Sequence, residues 1–175
     1  MFESAELGHT IDRETFKKEV PKLRAALLDV QYDMLEKRDF PVVILISGVD
    51  GSGKGETINL LYSWMDPRHI STLAFSEPSD EERSRPYMWR YWRALPPKGK
   101  VGIFMNAWYR ELIAARVLQG MSDARFNASL HEIRQFEQML AAEGIVLLKF
   151  WIHLSRDDQK RRLKELEASP RTRWR

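Results

Sequence analysis

The 175-residue chain has no cysteine, which excludes disulfide staples and thiolate metal sites. Nor does it have an apolar run of membrane-spanning length; the longest stretches, 42–46 and 145–154, stop at five to ten residues. Histidine is scarce. His9, His69, His131 and His153 are scattered without metal-ligand spacing and read as surface or packing residues, not catalysts. The opening Met1-Phe2-Glu3-Ser4 lacks the basic-then-apolar pattern of an export signal. Internal repeats and low-complexity tracts are also missing. These absences leave a soluble, cytoplasmic globular protein with no membrane partner as the expectation.

What is present fits one domain with a real core: 43% hydrophobic and 30% charged residues. The net charge of +3 and pI near 9.2 are a mild basic excess. Its distribution says more than its size. Arg83, Arg85, Arg90, Arg93, Lys98 and Lys100 crowd one segment, and Arg171, Arg173 and Arg175 crowd the end; either group could meet a polyanion.

The stretch that organises the chain is Gly48-Val49-Asp50-Gly51-Ser52-Gly53-Lys54-Gly55. An apolar run precedes it and a helical pattern starting near Glu56 follows. Strand, glycine-rich turn and helix is the setting of a phosphate-binding loop: backbone N–H groups point inward, the helix start adds partial positive charge, and a lysine adds a full one. The spacing alone would arise by chance in about one chain in twenty of this length, so the flanking strand and helix carry much of the inference. One position departs from the pattern. Gly55 stands where a Ser or Thr hydroxyl normally holds Mg²⁺. A metal would need another ligand; Asp50 is the first candidate and Thr57 a weaker one.

Along the chain, apolar residues at Phe16, Val20, Leu23, Leu27, Val30 and Met34 alternate steps of four and three, a helical seam. The spacing predicts an N-terminal helical arm over 1–40, irregular to residue 11, with Pro21 dividing a short helix from a longer one. The arm packs on the core or on a second subunit. Ile58, Leu61, Trp64 and Met65 form the stripe of the next helix, and 70–75 is a second strand. Ser79 and Glu82 form a capping box opening one helix rich in arginine and aromatics, closed by a turn at Pro96-Pro97-Lys98-Gly99. A central strand over 101–105 should end in a metal-binding Asp in a P-loop enzyme, yet Met105 and Asn106 stand there. Helices through Leu112 to Leu118 and Phe126 to Leu140 follow. The apolar run 145–154 predicts a buried strand, and Ser155 caps a last helix carrying Leu163 and Leu166. Strands alternating with helices specify an α/β fold with a parallel sheet and ligands at the strand carboxyl ends.

The loop, the block from Pro78 to Arg93 with Trp89-Arg90-Tyr91-Trp92, Leu95-Pro96-x-Lys98-Gly99 and Phe104-x-x-x-Trp108-Tyr109 together resemble the type-2 polyphosphate kinases. They are most similar to the N-terminal half of tandem-domain polyphosphate:AMP phosphotransferases. The resemblance implies a three-layer α/β/α P-loop kinase domain over 41–175 with a helical lid at about 77–98. It implies transfer of the terminal phosphoryl group of polyphosphate to AMP, giving ADP, with Mg²⁺. Gly48, Gly51, Ser52, Gly53, Lys54 and Gly55 would bind phosphate, with Lys54 gripping the transferred group and Asp50 binding Mg²⁺. The lid arginines Arg83, Arg90 and Arg93 would clamp further phosphates.

Two departures qualify that expectation. The family's active domains usually read Phe-Asp-Arg-Ser-Trp-Tyr, whereas this chain reads Phe104-Met105-Asn106-Ala107-Trp108-Tyr109, without the second metal carboxylate and its arginine. The chain also stops at Arg171-Thr172-Arg173-Trp174-Arg175, where a family domain continues with further helix, so it reads as truncated. The expectation is therefore a polyphosphate-dependent phosphotransferase domain with weak or no catalysis alone, partnered by a second kinase domain and in a homo-oligomer. The alternative is a non-catalytic P-loop domain for polyphosphate binding or assembly. An ATP- or GTP-using kinase or a nucleic-acid binder rests only on the loop and the basic pI, and Gly55 counts against an ordinary NTPase.

Overall fold

Four apolar stretches become four parallel strands in the computed structural model, which describes residues 6, 8 and 10–173. The opening Met1-Phe2-Glu3-Ser4, His9, Trp174 and Arg175 lie outside the described residues. In chain order the elements are α1 (Arg13–Lys37), β1 (Val42–Gly48), α2 (Lys54–Trp64), a 3₁₀ turn at Pro67–His69, β2 (Ile70–Ala74), α3 (Asp80–Arg83), α4 (Trp89–Ala94), β3 (Val101–Met105), α5 (Trp108–Leu118), α6 (Asp123–Ala142), β4 (Val146–Ile152) and α7 (Arg156–Ala168). The sheet order is β2-β3-β1-β4. Val42 pairs in register with Val101 and with Val146, so β1 lies between β3 and β4.

Side chains alternate across the sheet and divide the core in two. Val43 and Leu45 face a layer that includes Phe104, Trp108, Leu112, Ile133, Phe136 and Leu140. Ile44 and Ile46 face Met34, Ile58 and Ile103. Helices thus cover both faces, giving the three-layer α/β/α arrangement of a P-loop kinase.

The structure corrects the sequence reading in three places. First, α1 is one helix of 25 residues running through Pro21. Proline removes one donor, leaving the Lys17 carbonyl unserved. That stretch is exposed, so water can take the bond. Asp12 caps the helix start, accepting from the N–H groups of Glu14 and Thr15 at 3.0 and 2.9 Å. The Gln31 amide, 1% exposed, docks the far half by donating to the Asp66 carbonyl and accepting from the Asp66 N–H at 2.9 and 2.7 Å.

Second, the arginine-rich segment is two short helices. The Ser79–Glu82 capping box forms, but Pro86 ends the run and α4 restarts at Trp89. The break turns Arg90 and Tyr91 into the core, which a straight continuation of the exposed α3 would not ensure. Third, β4 is not a buried strand. Its only strand partner among the described residues is β1. Leu147 and Ile152 pack against the core. Leu148, Phe150 and Trp151, however, stay 42, 51 and 44% exposed. Its composition is that of a strand covered on both faces, the usual state in a parallel sheet.

Candidate phosphate-binding site

The glycine loop leaves the carboxyl end of β1 beside β4. A Cβ on Gly48 would lie 2.1 Å from the Ile152 carbonyl oxygen, so no larger residue fits. Gly53 caps α2 in the left-handed region at φ 94°, a conformation that favours glycine. These two positions turn the backbone so that α2 begins at Lys54 with its N-terminal N–H groups facing the loop.

Lys54 is folded over that loop. Its Nζ donates to the carbonyls of Gly48 and Val49 at 3.0 and 2.9 Å and lies 3.7 Å from Asp50 Oδ1. The Lys54 side chain is 13% exposed, whereas that of Asp50 is 95% exposed. Ser52 Oγ is buried without a hydrogen-bond partner, and a phosphate oxygen would satisfy it. Thr57 Oγ1 is engaged, donating to the Gly53 carbonyl at 3.1 Å. A Cβ on Gly55 would meet nothing within 4 Å, so its missing hydroxyl reflects no crowding.

Helix α7 braces the loop, a contact the sequence reading missed. Gln159 Nε2 donates to the Asp50 carbonyl at 2.9 Å. Arg162 lies 4.0 Å from Glu56, and Leu163 packs against Gly51. No sequence signal joins positions 109 residues apart in this way; only the α/β topology could have suggested it.

The neighbouring strand end offers no carboxylate. Met105 pairs in register with Ile46 and Ala74. Asn106 follows in the left-handed region at φ 55°, which asparagine tolerates better than most residues. Among the described residues no group of three or more His, Cys, Asp or Glu could hold a metal ion.

The three arginines expected to clamp phosphate have different surroundings. Arg90, 8% exposed, donates to Glu111 Oε1 and the Ser76 carbonyl at 3.1 and 3.0 Å, and its Nε lies 3.4 Å from Glu82. Its guanidinium also sits over Phe75 and Tyr91. Burial raises the Glu111 carboxyl above its ordinary value, with Arg90 opposing, and pushes the Tyr91 hydroxyl up to about 12. Arg83 and Arg93 are exposed, paired with Asp80 at 2.9 Å and Glu81 at 3.8 Å. Arg93 stacks on Trp89 at 4.7 Å.

A further, half-buried acid lies beside α5. Glu137 accepts from Trp108 Nε1, Tyr109 Oη and Lys149 Nζ at 3.1, 2.8 and 2.8 Å. It fixes the Trp108-Tyr109 pair that opens α5. No sequence signal joins it to Trp108 and Tyr109, 29 and 28 positions away.

The family model described as polyphosphate kinase 2 matches residues 10–175. The chain is 50% identical over 174 residues to a polyphosphate:AMP phosphotransferase of Pseudomonas aeruginosa, covering 99% of this chain and 35% of that protein. It is 45% identical to the protein of that name from Pseudomonas syringae pv. tomato, again spanning 35% of the relative's length. A Pseudomonas aeruginosa PA01 crystal structure assigned as polyphosphate kinase 2 superposes with a TM-score of 0.90 at 50% identity, covering 93% of this chain and 36% of that one. A polyphosphate kinase 2 from Arthrobacter aurescens TC1 gives 0.88 at 26% identity, covering 97% and 61%. The chain thus spans about a third of the length of the curated relatives it matches first.

Proposed function

The chain belongs to the polyphosphate kinase 2 family, and on that premise we propose that it forms a domain of a polyphosphate-dependent nucleotide phosphotransferase, converting AMP to ADP. A phosphate oxygen of AMP attacks the terminal phosphorus of polyphosphate. The bridging P–O bond breaks, and the polymer leaves one unit shorter. The observation that carries this reading is Lys54, held over a glycine loop at the start of α2 and the carboxyl end of β1.

Phosphoryl transfer needs positioning and charge neutralisation more than covalent help from the protein. Lys54 Nζ exchanges its two loop carbonyls for phosphoryl oxygens. The N–H groups at the start of α2 and Ser52 Oγ hold neighbouring oxygens. Arg83 and Arg93, exposed on the 77–98 segment, contact further phosphates of the polymer, as the proposed lid requires. Arg90 instead fixes that segment to the body through Glu111 and Ser76.

Magnesium suits this site as a metal shared with substrate, because Mg²⁺ is commonly bound by one or two carboxylates together with phosphate oxygens. Asp50 would hold it, and the metal would neutralise developing phosphate charge. Met105 supplies no second carboxylate, so transfer by this domain is weak and a second kinase domain in the longer protein carries most of the turnover. The same feature favours a second reading, in which the domain binds polyphosphate or supports assembly without catalysis.

The test combines polyphosphate binding with ADP formation from AMP, polyphosphate and Mg²⁺. Binding and slow ADP formation, both lost in Lys54→Ala, are expected. Binding without transfer selects the second reading, and no polyphosphate binding at all overturns both.

A further inference from the structure

Helix α7 sets one line of side chains against the glycine loop. Gln159, Arg162 and Leu163, at steps of three and four, share a helix face. Gln159 Nε2 donates to the Asp50 carbonyl at 2.9 Å. Gly51 lies in the left-handed region at φ 77°, and a Cβ there would sit 3.4 Å from Leu163 Cδ2 and 3.7 Å from Arg162 Cγ. The Arg162 stem is therefore fixed against the middle of the loop. Its guanidinium reaches the first turn of α2, where Glu56 lies at 4.0 Å. That guanidinium is not committed to its present neighbours. Glu56 at 4.0 Å and Glu165 at 3.9 Å are both beyond hydrogen-bond distance. The side chains of Arg162, Glu56 and Glu165 are 44, 50 and 58% exposed, and pairs of this kind contribute little. Arg161 differs: about 100° away around the helix, it donates to Asp158 at 2.5 Å and is 70% exposed.

We propose that Arg162 is a phosphate ligand, holding a unit of the polymer next to the one gripped by Lys54; this rests on the phosphate-binding reading of the loop. Lys54 Nζ sits at the Gly48 and Val49 carbonyls, at the strand end of the loop. Arg162 stands farther along, beside Gly51 and Glu56. Cations at two points along one loop suit an anion that repeats its charge along a chain. The planar guanidinium can donate two parallel N–H bonds to the oxygens of one phosphate, a stronger contact than either of its present pairs. When Arg162 turns to phosphate, the half-exposed Glu56 and Glu165 carboxylates remain in contact with water, so neither is left as a buried charge. Gln159 and Leu163 keep the helix in place while the guanidinium moves. Helix α7 thus contributes a ligand as well as a brace.

The test is a titration of the chain with long-chain polyphosphate across a salt series. It compares the parent with Arg162→Ala, Arg162→Gln and Arg161→Ala. Arg162→Gln keeps the stem against Gly51, and Arg161→Ala removes the same charge one residue away. Both Arg162 variants should bind about tenfold less tightly, the scale of one charge-assisted hydrogen bond. Their affinity should also fall less steeply with salt, by about one unit of log–log slope for one lost phosphate contact. Arg161→Ala should stay near the parent, and all three variants should keep its melting temperature. Equal affinities for Arg162→Ala and Arg161→Ala would overturn the assignment and leave the proposed function standing. So would a loss in Arg162→Ala that Arg162→Gln restores, since stem packing would then be the cause. A parent that binds no polyphosphate would overturn the assignment together with the reading on which it rests.

Discussion

Under the proposed function, Lys54 concentrates the chemistry of this chain in one side chain. Its two bonds to loop carbonyls hold a positive charge where the glycine backbone leaves room for phosphate. Replacing it with alanine should lower polyphosphate-dependent transfer by about a hundredfold or more, the scale seen when one donor to a developing negative charge is removed. A coupled ADP assay measures this, and an unchanged melting temperature would show that folding is not the cause. A second residue-scale prediction concerns Asp66. The Arg68 guanidinium, aided by the Arg68 N–H and opposed by burial, holds this carboxyl far below its ordinary value of 3.8. A depressed folded value contributes stability above the ordinary value and loses it as pH falls towards the folded one. Asp66→Asn should therefore be less stable than the parent near neutrality and lose less on acidification; urea unfolding across a pH series checks it. The loop residues were legible because their spacing is local. The Glu137 cluster and the Gln159 brace were not, since each depends on side chains that meet only after the sheet has formed.

Elements show why similar sequence signals gave different outcomes. The two prolines reversed the reading: the helix runs through Pro21, where a division was expected, and breaks at Pro86, where one continuous helix was expected. Around Pro21 the helix is solvated, and one lost bond is a modest local cost. At Pro86 the break is matched by burial of Arg90 and Tyr91, and the Tyr87 hydroxyl donates to the Trp108 carbonyl at 2.8 Å. Composition alone treats the arginines of this block alike, but their packing separates them. Arg90→Ala would leave Glu111 and Glu82 without their buried partner and should destabilise the protein by about 3 kcal/mol or more. Arg93→Ala, at an exposed site, should change stability by less than about 0.5 kcal/mol while weakening polyphosphate binding. Paired denaturation and binding titrations distinguish the two roles. In α2, Gly55 lies in the first turn with open space around its missing Cβ. Gly55→Ala should stabilise the domain by about 0.5 kcal/mol, as helix propensity predicts, a change thermal unfolding can detect.

At the scale of the whole molecule, alternating strand and helix patterns made the α/β class and parallel sheet readable, because each buried strand is a short apolar run between turn signals. The exposure of β4 was not readable. An apolar strand looks the same in sequence whether its faces are covered or open; neighbours decide. The chain superposes on part of larger polyphosphate kinase 2 structures, and under the proposed function the strand end beside the loop is the point that would separate a strong catalyst from a weak one. Met105 occupies that end, paired with Ile46 of the strand leading into the loop. The most direct measurement is the rate of ADP formation from AMP, polyphosphate and Mg²⁺ by this domain as the parent, as Met105→Asp and as Met105→Asp with Lys54→Ala. The account predicts a slow parent, a faster Met105→Asp domain and loss of that gain when Lys54 is removed. A parent that turns over at rates typical of kinases, or a gain that survives Lys54→Ala, would contradict it.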